Sequence, residues 1–209
     1  MPHRQLGVRL FPWIIALLPL QACALSGESI QGQVLEESTN KPIPGAIVVA
    51  RWQGEAFSFA HSPTICIHVE STTTDNDGRY RLPAWSAKVE PEGVRNIRPL
   101  LDAYKPGYGL PTVPSQKQEI VLLKPFTGTR GERLEHLRRM SSGIRCSNPG
   151  ESEKNLLALR RAFLEETKQL VGSEYDKDFV EPFLFQLEVL EFGYEVAQRR
   201  QVERLSGKK

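Results

Sequence analysis

The chain has 209 residues, 40% of them hydrophobic, with 27 Lys and Arg against 25 Asp and Glu for a formal net charge of +2. That near balance excludes the basic excess of a nucleic-acid binder. The length suits one or two modest domains, and three cysteines, an odd number, bear on the compartment.

Arg4 and Arg9 flank a short basic start that runs into "LFPWIIALLPL" and then into the small residues of "QACALSG". A basic start, an apolar stretch and a small-residue exit describe a secretory signal over residues 1–24. The apolar stretch is short for a membrane span, which needs about 20 residues. Two processing routes are open. "LQAC", ending at Cys23, resembles the lipobox of bacterial lipoproteins, although Gln21 departs from its usual residue; "ACA" fits ordinary signal peptidase. The lipoprotein route, with lipidation of Cys23, is favoured, and Ala24 then suggests an outer-membrane destination. Otherwise the chain is periplasmic or secreted. Setting Cys23 aside leaves Cys66 and Cys146, for which one disulfide is the expectation in an oxidising compartment.

From residue 28 to 126 the sequence is punctuated by Pro and Gly. Between them, "SIQGQVLE", "GAIVVARW", "ICIHVESTTT", "GRYRLPA" and "QEIVLLKP" read as short strands. "QGEAFSFAHSPT" and "SAKVEPEGVRNIRPL" read as long connections, the first a natural place for function. Within "TTTDNDGRYRL", Asp75, Asn76, Asp77 and Gly78 raise the question of a metal loop. An EF-hand loop places a bidentate Glu at its twelfth position; counted from Asp75, this chain has Ser86 there. The stretch is read as a hairpin turn, with Gly78 supplying a positive φ.

From residue 127 to 209 the apolar spacing changes to threes and fours, predicting three helices. Thr129 and Glu132 form a capping box for the first, with Leu134, Leu137 and Met140 inward and a stop near Gly143. Asn148 and Pro149 open the second, which buries Leu156, Leu157, Phe163 and Leu164 and stops at Gly172. The third begins near Asp178 and presents Val180, Phe183, Leu184, Leu187, Leu190 and Tyr194. The basic tail "QRRQVERLSGKK" reads as the solvated end of that helix, where cations suit the dipole.

Gly32, Val34, Pro42, Pro44, Gly45, Ala46, Val48, Thr74, Asp75, Gly78, Tyr80 and Leu82 match the pattern of the carboxypeptidase regulatory-like domain, which residues 29–124 resemble; "YKPGY" resembles that family's next element. The resemblance implies a seven-stranded, antiparallel, transthyretin-like β-sandwich, normally an accessory module. The helical remainder lies outside it, and with the three helices read from the apolar spacing packed on the sandwich the chain is expected to be α+β.

On an extended strand, Cys66, His68 and Glu70 point to one face and Ile65, Ile67 and Val69 to the other. If the isoleucines and Val69 enter the sandwich, Cys66 faces outward, and its bond to Cys146 pins the helices against that outer face. His61, Cys66, His68 and Glu70 lack an obvious fourth zinc ligand, and a Cys66–His136 pair lacks any recognisable context. No catalytic residue, metal ligand or cofactor is assigned. Phe57, Phe59, His61 and His68 form the candidate binding surface. The favoured function is a non-catalytic envelope accessory protein that binds a protein partner. Two alternatives stand: a carbohydrate-binding module using Trp52, Phe57, Phe59 or Trp85, and a metal-binding or hydrolytic protein centred on His61 and His68.

Overall fold

The computed structural model describes residues 26–57, 62–86, 93–109, 120–146, 151–172 and 178–207. Cys23, Phe59, His61, Asn148 and Pro149 lie outside them. The described chain is a mixed α+β structure of eight strands in three sheets and four helices. The strands are β1 (Ser26–Gly27), β2 (Ile30–Glu36), β3 (Ile47–Ala56), β4 (Thr64–Thr73), β5 (Arg79–Leu82), β6 (Trp85–Ser86), β7 (Val94–Tyr104) and β8 (Ile120–Leu123). The helices are α1 (Arg130–Gly143), α2 (Leu157–Leu170), α3 (Val180–Phe192) and α4 (Tyr194–Leu205), with a 3₁₀ turn, Glu151–Leu156, leading into α2.

This differs from a single seven-stranded antiparallel sandwich. One sheet has the order β5-β2-β8 and another β4-β3-β7, while β1 and β6 pair separately. β8 runs parallel to β2, with Val34 opposite Val121. Between the two three-stranded sheets lies an apolar layer that includes Val34, Val48, Trp52, Leu82, Leu101 and Leu123. The opposite face of β4-β3-β7 carries a second layer, where Val49, Cys66, Val69 and Tyr104 meet Leu137, Leu159, Phe163 and Phe183 of the helices. β3 is therefore covered on both sides. That accounts for "AIVVARW", an almost unbroken apolar run where a half-exposed strand would alternate.

The connection "SAKVEPEGVRNIRPL" holds a strand that its prolines disguise. From Val94 onward it forms β7, paired antiparallel with β3. Among the described residues β7 has β3 as its ladder partner, with Pro99 opposite Trp52, and a proline is tolerated where its missing N–H is not asked for a ladder bond.

The Asp75–Gly78 turn does not close a hairpin, since β4 and β5 belong to different sheets. It arches from one to the other. Asp75 Oδ1 accepts from the N–H of Asp77 (2.9 Å) and of Arg79 (2.8 Å). Gly78 has φ +70°, and a Cβ there would sit 2.6 Å from the Val34 carbonyl oxygen. Positive φ and close backbone approach both demand glycine.

The Thr129–Glu132 capping box forms as expected, and Leu134, Leu137 and Met140 are buried. The third helix is two. Gly193, at φ +89°, ends α3 and turns the chain into α4, so Tyr194 leaves the packed stripe and is exposed. The tail is not simply solvated either. Arg204 donates to Glu181 (2.8 Å) and Glu188 (2.9 Å), clamping α4 against α3.

Candidate functional site

A β-bulge decides where the residues of β4 point. Trp52 pairs with His68 and Gln53 with Cys66, leaving Ile67 as the extra residue. The bulge slips the alternation by one position. Cys66 and Val69 both face the helices, while Ile67 packs toward the inter-sheet layer. The expected grouping of Cys66, His68 and Glu70 on one face, with Val69 on the other, is corrected accordingly. Docking of the helices on the Cys66 face is present, and Cys66 is bonded to Cys146 with Cα atoms 5.0 Å apart.

His68 stacks on Trp85 at 4.3 Å between ring centres and meets Glu70 at 2.8 Å. It is wedged beside the sheet layer rather than presented to a ligand. Trp52 and Trp85 are buried, which removes both from the set of sugar-stacking rings. Phe57 is 65% exposed, but the Arg95 guanidinium already lies over its ring at 5.2 Å. His136 sits beside Phe126, and burial, then Arg133 and Arg139, holds its imidazole below the ordinary range. With its sulfur in a disulfide, Cys66 offers His136 no thiolate. Among the described residues, no group of three or more His, Cys, Asp or Glu is placed to hold a metal.

The polar groups that the fold does concentrate lie along the seam between β4-β3-β7 and the helices. Arg133 of α1 donates from Nε to Glu166 of α2 at 2.8 Å and from Nη2 at 2.9 Å. Glu166 also accepts from the Tyr104 hydroxyl on β7 and from the Gly107 N–H at 3.1 Å. A third contact from Arg133, at 2.5 Å, reaches the Tyr108 carbonyl, so one guanidinium ties both helices to the "YKPGY" turn. Burial works to raise the Glu166 pKa, but the bonds from Arg133 and Tyr104 overcome it and hold the carboxyl below its usual range. Tyr104 is pushed up by the same burial and by its bond to that carboxylate.

Arg51 of β3 bonds Asp102 of β7 at 2.7 Å and the Gly143 carbonyl at the end of α1 at 2.7 Å. Burial outweighs the attraction of Arg51 and raises Asp102. Arg160 of α2, 4% exposed, donates to the Ser141 carbonyl (2.9 Å) and hydroxyl (2.9 Å) and to the Ile144 carbonyl (2.5 Å). These contacts satisfy carbonyls at the end of α1, which a helix cannot satisfy itself. Arg160 faces a groove of about 540 Å3 between the 3₁₀ turn, α2, α3 and α4, floored by Phe185, Val189 and Leu190. Burial, with Arg145 next to it, pushes the Arg160 guanidinium down to about 10.

No helix among the described residues is long and apolar enough to cross a membrane. No family model matches the chain, and no curated protein does. Two solved structures show distant likeness. One is an alternative pilotin from the type II secretion system of Vibrio cholerae: 16% identity, TM-score 0.29, covering 48% of this chain and 98% of that one. The other is a 9R-lipoxygenase from Cyanothece: 13% identity, TM-score 0.29, covering 78% of this chain and 30% of that one. Scores this low carry no argument about fold or role.

Proposed function

We propose that this chain is a non-catalytic envelope accessory protein, exported and lipid-anchored through Cys23, that presents a rigid helical face to a protein partner. Its β portion is read as a carboxypeptidase regulatory-like, transthyretin-type module, with the helices as an addition to it. The observation that carries the reading is how the buried charges of the seam are used. Arg133, Glu166, Tyr104, Arg51 and Asp102 bond one another and the backbone ends of neighbouring elements. Groups held this way fix one geometry for the helices; a catalytic acid or base needs an open path to a substrate.

The side chains left outward on the helices are apolar enough to meet a partner: Phe192, Tyr194, Val202 and Leu205 are exposed, Leu205 by 70%. The test is in-cell photocrosslinking from positions 202 and 205, with palmitate labelling of the wild type and of Cys23→Ala. The reading expects a discrete protein adduct from the helical positions and label only in the wild type. Label-free wild type and no protein adduct from either position overturn it.

A further inference from the structure

The groove between α2, α3 and α4 has a property that the rest of the seam lacks. Among the described residues, each other buried cation has a carboxylate: Arg51 has Asp102 and Arg133 has Glu166. Arg160 is as deeply buried, yet among the described residues no carboxylate pairs with it. Its three contacts engage Nη1 and Nη2 with neutral oxygens of Ser141 and Ile144. Arg145 lines the same groove, is exposed, and likewise has no described carboxylate partner. Glu153 on the 3₁₀ turn attracts Arg160 without forming an ion pair with it. A desolvated guanidinium beside a second cation is a costly arrangement unless an anion completes it.

The remainder of the groove is apolar. Phe185, Val189 and Leu190 of α3 form its floor, and Tyr194, edge-on to Phe185 at 5.9 Å, forms one rim. Tyr194 is there because Gly193 breaks the helix and lets α4 fold back along α3. A cationic end beside an apolar trough calls for an occupant with both characters, a hydrophobic segment carrying one acid. A second acid would meet Glu153.

From this geometry we infer that the groove is the partner-binding site, and that it receives an apolar peptide segment of the partner with a single Glu or Asp seated on Arg160 and Arg145. This rests on the accessory-protein reading and narrows it to one surface and one chemistry. Bidentate guanidinium–carboxylate contact in a partly desolvated site supplies direction as well as attraction, and apolar floor contact supplies the rest.

The test uses the full chain purified from envelopes and an array of apolar peptides in which one position is varied as Glu, Asp, Gln, Asn or Lys. The inference expects the acidic members to bind at least about tenfold more tightly than their amides, a difference of about 1.4 kcal/mol. Arg145→Gln, an exposed position that leaves the fold alone, should remove that preference. Tyr194→Ala should weaken acidic and amide members alike. Equal binding of acids and amides, no binding of any member, or binding of decanoate and anionic vesicles in place of peptides overturns the inference. If crosslinks from the helices find a partner while Arg145→Gln and Tyr194→Ala leave its capture unchanged, the groove assignment falls and the accessory-protein reading stands.

Discussion

Cys66 on β4 and Cys146 beyond α1 are 80 residues apart in the chain and 5.0 Å apart at Cα, covalently joined across the boundary between sheet and helices. A cross-link closing a loop of that length removes unfolded-state entropy equivalent to about 4.5 kcal/mol in the chain-entropy account. Replacing both cysteines by alanine should therefore lower stability by about 2–5 kcal/mol in urea unfolding of the otherwise intact chain. An unchanged midpoint would mean that the bridge adds nothing to the seam.

The Arg133–Glu166 pair is the second fastening. Glu166→Gln leaves a buried guanidinium short of its counter-charge, a change that costs about 3–5 kcal/mol where a buried pair is broken. The pH dependence has a definite sign. The folded carboxyl is held below its ordinary value, so its contribution is complete above about pH 4.5 and is lost as pH falls through the depressed value. Stability of the wild type should fall more steeply below pH 4.5 than that of Glu166→Gln, measured by denaturant unfolding at matched ionic strength.

Two tyrosines give the opposite limb. Burial pushes Tyr80 up to about 12 and also raises Tyr104. An acid raised on folding contributes stability below its unfolded value, near 10, that is lost as pH climbs toward the folded value. Absorbance titration at 295 nm should show both phenols still protonated at pH 11 in folded protein. Tyr80→Phe should lessen the decline in stability above pH 10.

How far the sequence discloses this structure depends on how local each signal is. The Thr129–Glu132 box and the Leu134, Leu137, Met140 stripe need only one helix to be read, and they are present as expected. The Asp75–Gly78 turn was legible as a turn, but its partner strand was not, because pairing across sheets leaves no mark in four residues. β7 was hidden by Pro99, because a proline within a run argues against a strand until its pairing is known. The bulge at Ile67 reversed the facing of Val69, and only pairing with β3 reveals it. Arg160 did leave a signal. It falls at helical spacing between Leu156 and Phe163, a charge within an apolar stripe, and such a charge has to find partners inside.

Gly78→Ala should destabilise by more than about 2 kcal/mol, because the added Cβ meets backbone atoms of Val34 and Ile43 and the residue is held at positive φ. Gly193→Ala has open space around it and only the strained φ to contend with, so a smaller loss of about 1 kcal/mol is expected. Thermal unfolding of the two variants side by side checks the order.

Arg204 is partly exposed, and its bonds to Glu181 and Glu188 are screened by water, so Arg204→Ala should cost under about 1 kcal/mol globally. Its effect should be local. Hydrogen exchange is expected to quicken in α4 and to stay unchanged in α2, whose packing does not depend on that clamp.

Everything proposed for the helices requires that they be fastened to the β4-β3-β7 face. Peptide mapping without reduction, on chain recovered from an oxidising compartment, tests that most directly. The account predicts a linked pair of peptides carrying Cys66 and Cys146, with neither sulfur alkylated in the native protein. Free, alkylated thiols at both positions would contradict it.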